Sequence, residues 1–317
     1  MPDLFLQNVI AVIWDFDKTL IPEYMQKPIF EHYGIDGEAF WAEVDGLPER
    51  YRAQGITVFR DIAYLNHLIT YAQVGKMPGL NNRVLAELGR KLVFYSGMPG
   101  FMAELKGSIE EHPEFKKYEI TVEHYVVSNG LAAVIRGSAI KPYTDGIWGC
   151  EFIENPLPPG YLGQPRSGDG PGEVISQIGY AIDNTTKTRA IFEINKGTNK
   201  WPRIDVNASI APEKRRVPFQ NMIYVADGPS DVPVFSLVKE RGGKTYAVYR
   251  SGSARELQQV DSLLRNGRVD AYGEANYESG SQTYMWLMLQ AERIAKRIVD
   301  ARENAVKTVV SDPPVHF

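Results

Sequence analysis

Residues 9–22 read VIAVIWDFDKTLIP. An unbroken apolar run rich in β-branched side chains is the signature of a strand covered on both faces, because a strand with one face in water alternates apolar and polar residues. Asp15 and Asp17 follow at its carboxyl end, which is where open α/β sheets place their ligands. Carboxylates this close repel one another, so the strand end calls for a compensating positive charge, and a divalent cation is the simplest candidate.

The rest of the chain supplies the partners such a strand needs. Segments 22–33, 37–53, 57–74 and 81–92 carry helical spacing, clearest in the stripe Val58, Ile62, Leu65 and Ile69. Together they form a helical module, residues 21–94, inserted after the first strand. A turn and helix at 95–112 lead to a second apolar run, ITVEHYVVSNG, ending at Ser128, Asn129 and Gly130. Residues 155–172 hold five prolines and five glycines, a composition for a loop, so 150–180 is expected to contain a flap. Further strands are expected at 174–182, 222–233, 244–250 and 268–272, with a helix starting near Thr185 or Thr186. Residues 281–304 form a helix with Leu287, Ala291, Ile294, Ile298 and Ala301 on one face, which is expected to pack on the core. Strands alternating with helices predict an α/β protein with a doubly wound parallel sheet, whose right-handed crossovers bring several strand ends to one edge.

Four segments would meet at that edge. Asp15 and Asp17 stand in WDFDKTL, Ser128 and Asn129 in VVSNG, Lys187 in TTKTRAIF, and Asp227 and Asp231 in ADGPSD. Singly, each has a plain reading: a strand-end Asp caps the next helix, Ser-Asn-Gly makes a turn, and a lysine at a helix start is solvated. In this order and strand context they resemble the haloacid dehalogenase-like (HAD) hydrolase superfamily, over roughly residues 1–20 and 95–272. Lys141 and Lys196 compete with Lys187 for the third motif. The helical insertion resembles the cap of type I members, and the whole pattern is most similar to the phosphoserine-phosphatase-like branch.

The resemblance implies a Rossmann-like core of residues 1–20 and 95–317 and a helical cap of 21–94. It implies a Mg²⁺-dependent phosphatase with Asp15 as nucleophile and Asp17 as general acid, then base. Mg²⁺ would be held by Asp15, Asp227 and the Asp17 backbone carbonyl, with Asp231 supporting that shell. Ser128, Asn129 and Lys187 would bind the phosphoryl group. Elementary chemistry asks for the same parts: a nucleophile, a proton donor for the leaving oxygen, and cationic relief of phosphoryl charge. Glu23, Tyr24, Arg50, Arg52 and Arg60 are candidates for substrate selection. A phosphotransferase or mutase of the same superfamily, or a non-catalytic binding protein, are the alternative readings.

Composition narrows the partners. A net charge of −4 over 317 residues argues against nucleic acid. Histidines 32, 67, 112, 124 and 316 are scattered and Cys150 is the only cysteine, which disfavours a structural zinc site and fits a reducing compartment. With no basic leader segment and no apolar run near the ~18 residues of a membrane span, the expectation is a cytoplasmic monomer or homodimer acting on a small phosphate ester.

Overall fold

The computed structural model describes residues 5–163 and 174–310. Part of the expected flap, 164–173, and His316 lie outside the described residues. Seven strands form one sheet: β1 (Val9–Trp14), β2 (Thr121–Leu131), β3 (Gly146–Ile153), β4 (Gln177–Tyr180), β5 (Met222–Ala226), β6 (Lys244–Tyr249) and β7 (Ala271–Glu274). Their order is β4-β3-β2-β1-β5-β6-β7, and every neighbouring pair is parallel except β3 with β4. Between β1 and β2 lie α1 (Lys27–Tyr33), α2 (Gly37–Arg52), α3 (Arg60–Gln73), α4 (Asn82–Gly89), α5 (Gly100–Glu110) and α6 (Pro113–Lys116). Then come α7 (Ala132–Gly137), α8 (Lys187–Lys196), α9 (Val232–Glu240), α10 (Ala254–Arg265) and α11 (Gln282–Val310). This is the doubly wound α/β architecture expected, with one antiparallel strand at its edge.

The apolar run in β1 is explained by what covers it. All six residues are buried, and successive side chains go to opposite faces. Ile10, Val12 and Trp14 join a cluster with Phe101 and Leu105 of α5 and Leu287 and Ala291 of α11. Val9, Ala11 and Ile13 join the other, with Ile191 and Ile194 of α8, Phe235 of α9 and Val260 of α10. The apolar stripe of α11 therefore faces the core, but Ala301, expected on the same face, is exposed where the helix runs past the sheet.

Other differences have local causes. Strand β3 was not expected, because GIWGCEFI is neither alternating nor continuously apolar. A Cβ at Gly149 would lie only 2.9 Å from the Ala132 nitrogen, so glycine is required where β3 passes the end of β2. The seventh strand forms at Ala271–Glu274, not 268–272, since Asp270 is engaged with Thr245 before the ladder begins. Helix α8 begins as expected, yet the Thr186 side chain does not cap it. Asp183 accepts from the backbone N–H groups of Thr185 and Thr186 at 2.8 and 2.7 Å.

Helices α4 and α7 touch at backbone distance. A Cβ on Gly137 would sit 1.8 Å from the Ala86 carbonyl oxygen, and one on Gly89 2.1 Å from that of Val134. We therefore expect Gly137→Ala to lower stability by about 1–3 kcal/mol through overpacking, read as a shift in denaturant midpoint. A second prediction concerns His124, which is buried, accepts from Trp14 Nε1 at 3.2 Å and sits 2.9 Å from the Met102 carbonyl. Burial pushes its imidazole down to about 4, against the Met102 hydrogen bond. The unfolded chain, with an ordinary value of about 6.5, takes up the proton first, so this contribution is complete above pH 6.5 or so and is lost as pH falls towards 4. Stability measured at pH 7 and pH 5 should drop more in the wild type than in His124→Gln; equal drops would contradict it.

Candidate active site

The strand order reverses beside β1: the chain goes outward through β2 and β3 on one side, then returns to build β5, β6 and β7 on the other. Open sheets bind ligands at such switch points, beyond the carboxyl ends of the strands. Register brings the motif segments there together. Trp14 pairs with Val126 on one side and Val225 on the other, so Asp15 and Asp227 lie just past the ends of their strands beside Ser128, which sits within β2 because that strand continues to Leu131. The Asp15 backbone N–H still donates to the Val225 carbonyl at 2.9 Å. The next residues then curl tightly, with the N–H groups of Thr19 and Leu20 both directed at the Phe16 carbonyl and Lys18 at φ 59°.

Lys187 occupies the centre of the cluster. Its Nζ donates to Asp15 Oδ1 at 2.8 Å and to Asp231 Oδ1 at 2.6 Å, and it is 1% exposed. Tyr224 O–H donates to the same Asp231 oxygen at 2.5 Å, and Ser230 Oγ to the other at 2.7 Å. Thr19 Oγ1 donates to Asp15 Oδ2 at 3.2 Å. The competing lysines are elsewhere: Lys196 holds the carbonyls of Val206 and Ala208, and Lys141 is exposed on a short 3₁₀ turn. Asp17 is half-buried and accepts from the Met25 N–H at 2.9 Å. Ser128 Oγ accepts from the Gly130 N–H at 3.0 Å.

Electrostatics follow from burial. Burial pushes the Asp15 carboxyl up to about 6, with Lys187 opposing and Asp231 adding to the rise. Asp17 is pushed up to about 8, by burial and then by the charge on Asp15. Asp227 is held well above the usual carboxylate range, by burial and then by Asp15 and Asp231. Burial pushes the Lys187 ammonium down, but the two carboxylates beside it prevail and its net shift is upward. One lysine thus serves a concentration of carboxylates that it cannot neutralise alone.

Carboxylate oxygens of Asp15, Asp227 and Asp231 lie within 4.8 Å of one another. Oxygens around a hard cation at about 2.1 Å are roughly 3–4.2 Å apart, so this all-oxygen donor set has the chemistry Mg²⁺ asks for and needs only a small closure to reach its spacing. Asp17 brings no side-chain oxygen to that group of three.

Asp15, Asp17, Lys187 and Asp227 line a cavity of about 740 Å³, while Asp231 is fully buried behind them. The cavity walls include Tyr24, Trp41, Arg60 and Tyr64 from the segment after β1, and Arg255 and Gln259 from α10. Of the candidates for substrate selection, Tyr24 and Arg60 line it; Arg50 and Arg52 are exposed at the end of α2, and Glu23 pairs with Arg250 at 3.2 Å. Tyr224 escaped the sequence reading because it lies within an apolar strand, where an aromatic residue signals packing alone; only its position two residues before Ala226-Asp227 could have singled it out. Gln259 donates to the Asp227 carbonyl at 3.2 Å, and nothing in its amphipathic helix marks it.

If this site holds Mg²⁺, the ion should stabilise the fold without any substrate. At about a hundred times its dissociation constant the expected gain is about 2.7 kcal/mol, read as a higher Tm in Mg²⁺ than in EDTA. Asp227→Asn should remove most of that difference, and an unchanged Mg²⁺ effect in the variant would place the ion elsewhere.

No family model matches the chain. An uncharacterized protein of Borreliella burgdorferi is 37% identical over 287 residues, covering 89% of this chain and 96% of that protein. Among solved structures, a probable phosphoserine phosphatase from Vibrio cholerae is similar with a TM-score of 0.48 and 14% identity, over 93% of this chain and 68% of that one. A HAD-family hydrolase from Salmonella enterica serovar Typhi has a TM-score of 0.46 and 13% identity, over 86% and 68%. A phosphoserine phosphatase carrying a phospho-aspartyl intermediate analogue has a TM-score of 0.44 and 13% identity, over 83% and 92%.

Proposed function

We propose that this chain, which belongs to one family with the uncharacterized Borreliella burgdorferi protein, is a phosphoryl-transfer enzyme, a Mg²⁺-dependent phosphatase of a small phosphorylated metabolite. Asp15 is the nucleophile: a carboxylate oxygen attacks phosphorus, the ester P–O bond breaks, and the leaving alkoxide takes a proton from Asp17. That role requires Asp17 to be protonated before attack, and a carboxyl pushed up to about 8 is protonated at neutral pH. Water then attacks the phosphoaspartate, Asp17 accepts its proton, and inorganic phosphate leaves with Asp15 restored. The Ser128 hydroxyl and the Asn129 N–H bind phosphoryl oxygens, while Lys187 balances their charge and fixes the Asp15 carboxylate in place. Asp15, Asp227 and the Asp17 carbonyl would hold Mg²⁺, with Asp231 supporting that shell. The ion, when bound, supplies Lewis-acid relief of the phosphoryl charge.

One observation carries this reading: a buried lysine bridges Asp15 and Asp231 at 2.8 and 2.6 Å, with Asp227 completing the acidic group, and Asp15, Lys187 and Asp227 line a cavity large enough for a metabolite. Residues 21–94 act as a cap over that cavity, contributing Trp41, Arg60 and Tyr64 to its wall, and exclude water from the reacting centre. The test is hydrolysis of p-nitrophenyl phosphate by the full chain in Mg²⁺ and in EDTA. Turnover should require Mg²⁺ and fall roughly a thousandfold or more in Asp15→Asn, with the variant still folded by circular dichroism. A folded wild type without Mg²⁺-dependent turnover, or an active Asp15→Asn, would refute the assignment.

A further inference from the structure

The end of β2 is irregular. Its pairing with β3 runs as far as Val127 opposite Trp148 and resumes only at Leu131 opposite Cys150. Ser128, Asn129 and Gly130 therefore face the single residue Gly149, a bulge of the kind that re-aims groups next to binding sites. Within it the Asn129–Gly130 peptide is held from both ends. Its N–H donates to Ser128 Oγ at 3.0 Å, and its carbonyl accepts from the Tyr64 O–H at 2.8 Å and from the Cys150 thiol at 3.3 Å. A hydroxyl has one hydrogen and two lone pairs. Gly130 takes a lone pair of Ser128, which fixes the oxygen and leaves its hydrogen to donate into the cavity that Ser128 lines.

Tyr64 acts on this arrangement from α3. A donor at a peptide carbonyl strengthens the hydrogen bond made by the N–H of the same peptide, because the two polarise one another. The Tyr64 hydroxyl thus reaches Ser128 through one peptide unit without touching it. Its own hydrogen is spent on the Asn129 carbonyl, so none remains for a ligand. The Tyr64 side chain is 4% exposed and its ring lies 5.7 Å from that of Trp41 between centroids, so packing sets where the hydroxyl lies. Asp61, one turn earlier on the same helix face, accepts from the Asn129 side chain, whose amide nitrogen also donates to Asn184 Oδ1 at 3.1 Å. Helix α3 therefore grips both the main chain and the side chain of Asn129.

Resting on the phosphatase reading, we propose that Tyr64 is a positioning residue for phosphate. Through the Asn129–Gly130 peptide its hydroxyl orients Ser128 to donate to a phosphoryl oxygen, so that the seating of α3 and the binding of phosphate are one event. By reciprocity, a phosphate that engages Ser128 tightens the hold on α3.

Inorganic phosphate is the probe, since it has no leaving group to contact α3. Its dissociation constant is measured by calorimetry on the full chain in Mg²⁺. Tyr64→Phe keeps the ring and should weaken phosphate about three- to tenfold, the worth of one hydrogen bond, while the Mg²⁺-dependent rise in Tm stays as in the wild type. A merely structural defect would reduce both. In a Ser128→Ala background the effect of Tyr64→Phe should vanish, because the hydroxyl it serves is gone. In the wild type, phosphate should slow amide hydrogen exchange across residues 60–73. Unchanged phosphate affinity in Tyr64→Phe, a Mg²⁺ effect lost with it, or losses that add in the double variant would overturn the proposal. So would a wild type that binds no phosphate, or exchange in α3 that ignores it, and these two readings stand even if the variant does not fold. Turnover of p-nitrophenyl phosphate with full phosphate affinity in Tyr64→Phe would sink this inference and leave the catalytic reading standing. A Tyr64-dependent phosphate affinity without turnover would do the reverse.

Discussion

The arrangement hangs on a crowd of buried carboxylates held at one strand edge by a single ammonium. Removing an ion from water costs several kcal/mol even after relaxation, so Asp15 and Asp231 tolerate burial only because Lys187 touches both. That contact dictates the register of α8. The helix must start where its first residue reaches the sheet edge, and Asp183, accepting from the N–H groups of the two residues before it, holds the turn that leads into that start. Tyr224 and Ser230 add donors to Asp231, so its carboxylate is held in the orientation that meets the lysine. Among the described residues no donor to the Asp227 carboxylate matches these, and burial, then the charges of Asp15 and Asp231, holds its carboxyl well above the usual range.

Much of this was legible in the chain itself. The apolar run of β1 and the carboxylates after it located one end of the site, because burial on both faces leaves no alternative explanation for such a sequence. The same reasoning found β5 and Asp227, and the periodicity of Leu287, Ala291, Ile294 and Ile298 found the core-facing side of α11. What stayed hidden depended on contacts between distant segments. Strand β3 earns its place by backbone fit at Gly149, not by hydrophobic pattern. No threonine side chain caps α8; the turn leading into it is held instead by Asp183, whose carboxylate accepts the N–H groups of Thr185 and Thr186 at once.

The long connection from α8 to β5 also has a physical explanation. It carries Arg216, which pairs through both terminal nitrogens with the buried Glu123 on β2, the closer contacts being 2.5 and 2.6 Å. Tyr125 bonds the same carboxylate. Lys196 ties down the middle of the connection through the Val206 and Ala208 carbonyls. The extra residues thus fasten the back of β2 by a charge-assisted network, well away from the edge where the acidic cluster lies.

The loop that follows the first strand is braced by the far end of the chain. Tyr277 O–H donates to the Thr19 carbonyl at 2.7 Å, the Tyr277 N–H to Ser96 at 2.8 Å, and the Tyr95 N–H to the Leu20 carbonyl at 2.9 Å. Gly97 must be glycine here, since a Cβ would meet the Tyr277 backbone at 2.2 Å. During synthesis on a ribosome, where chains emerge at about 5–20 residues per second, the earliest carboxylates are made long before their brace. The centre therefore stays unfinished until nearly the whole polypeptide has emerged, and a truncated product ending before Tyr277 would carry every acidic group yet lack the clamp that sets their loop.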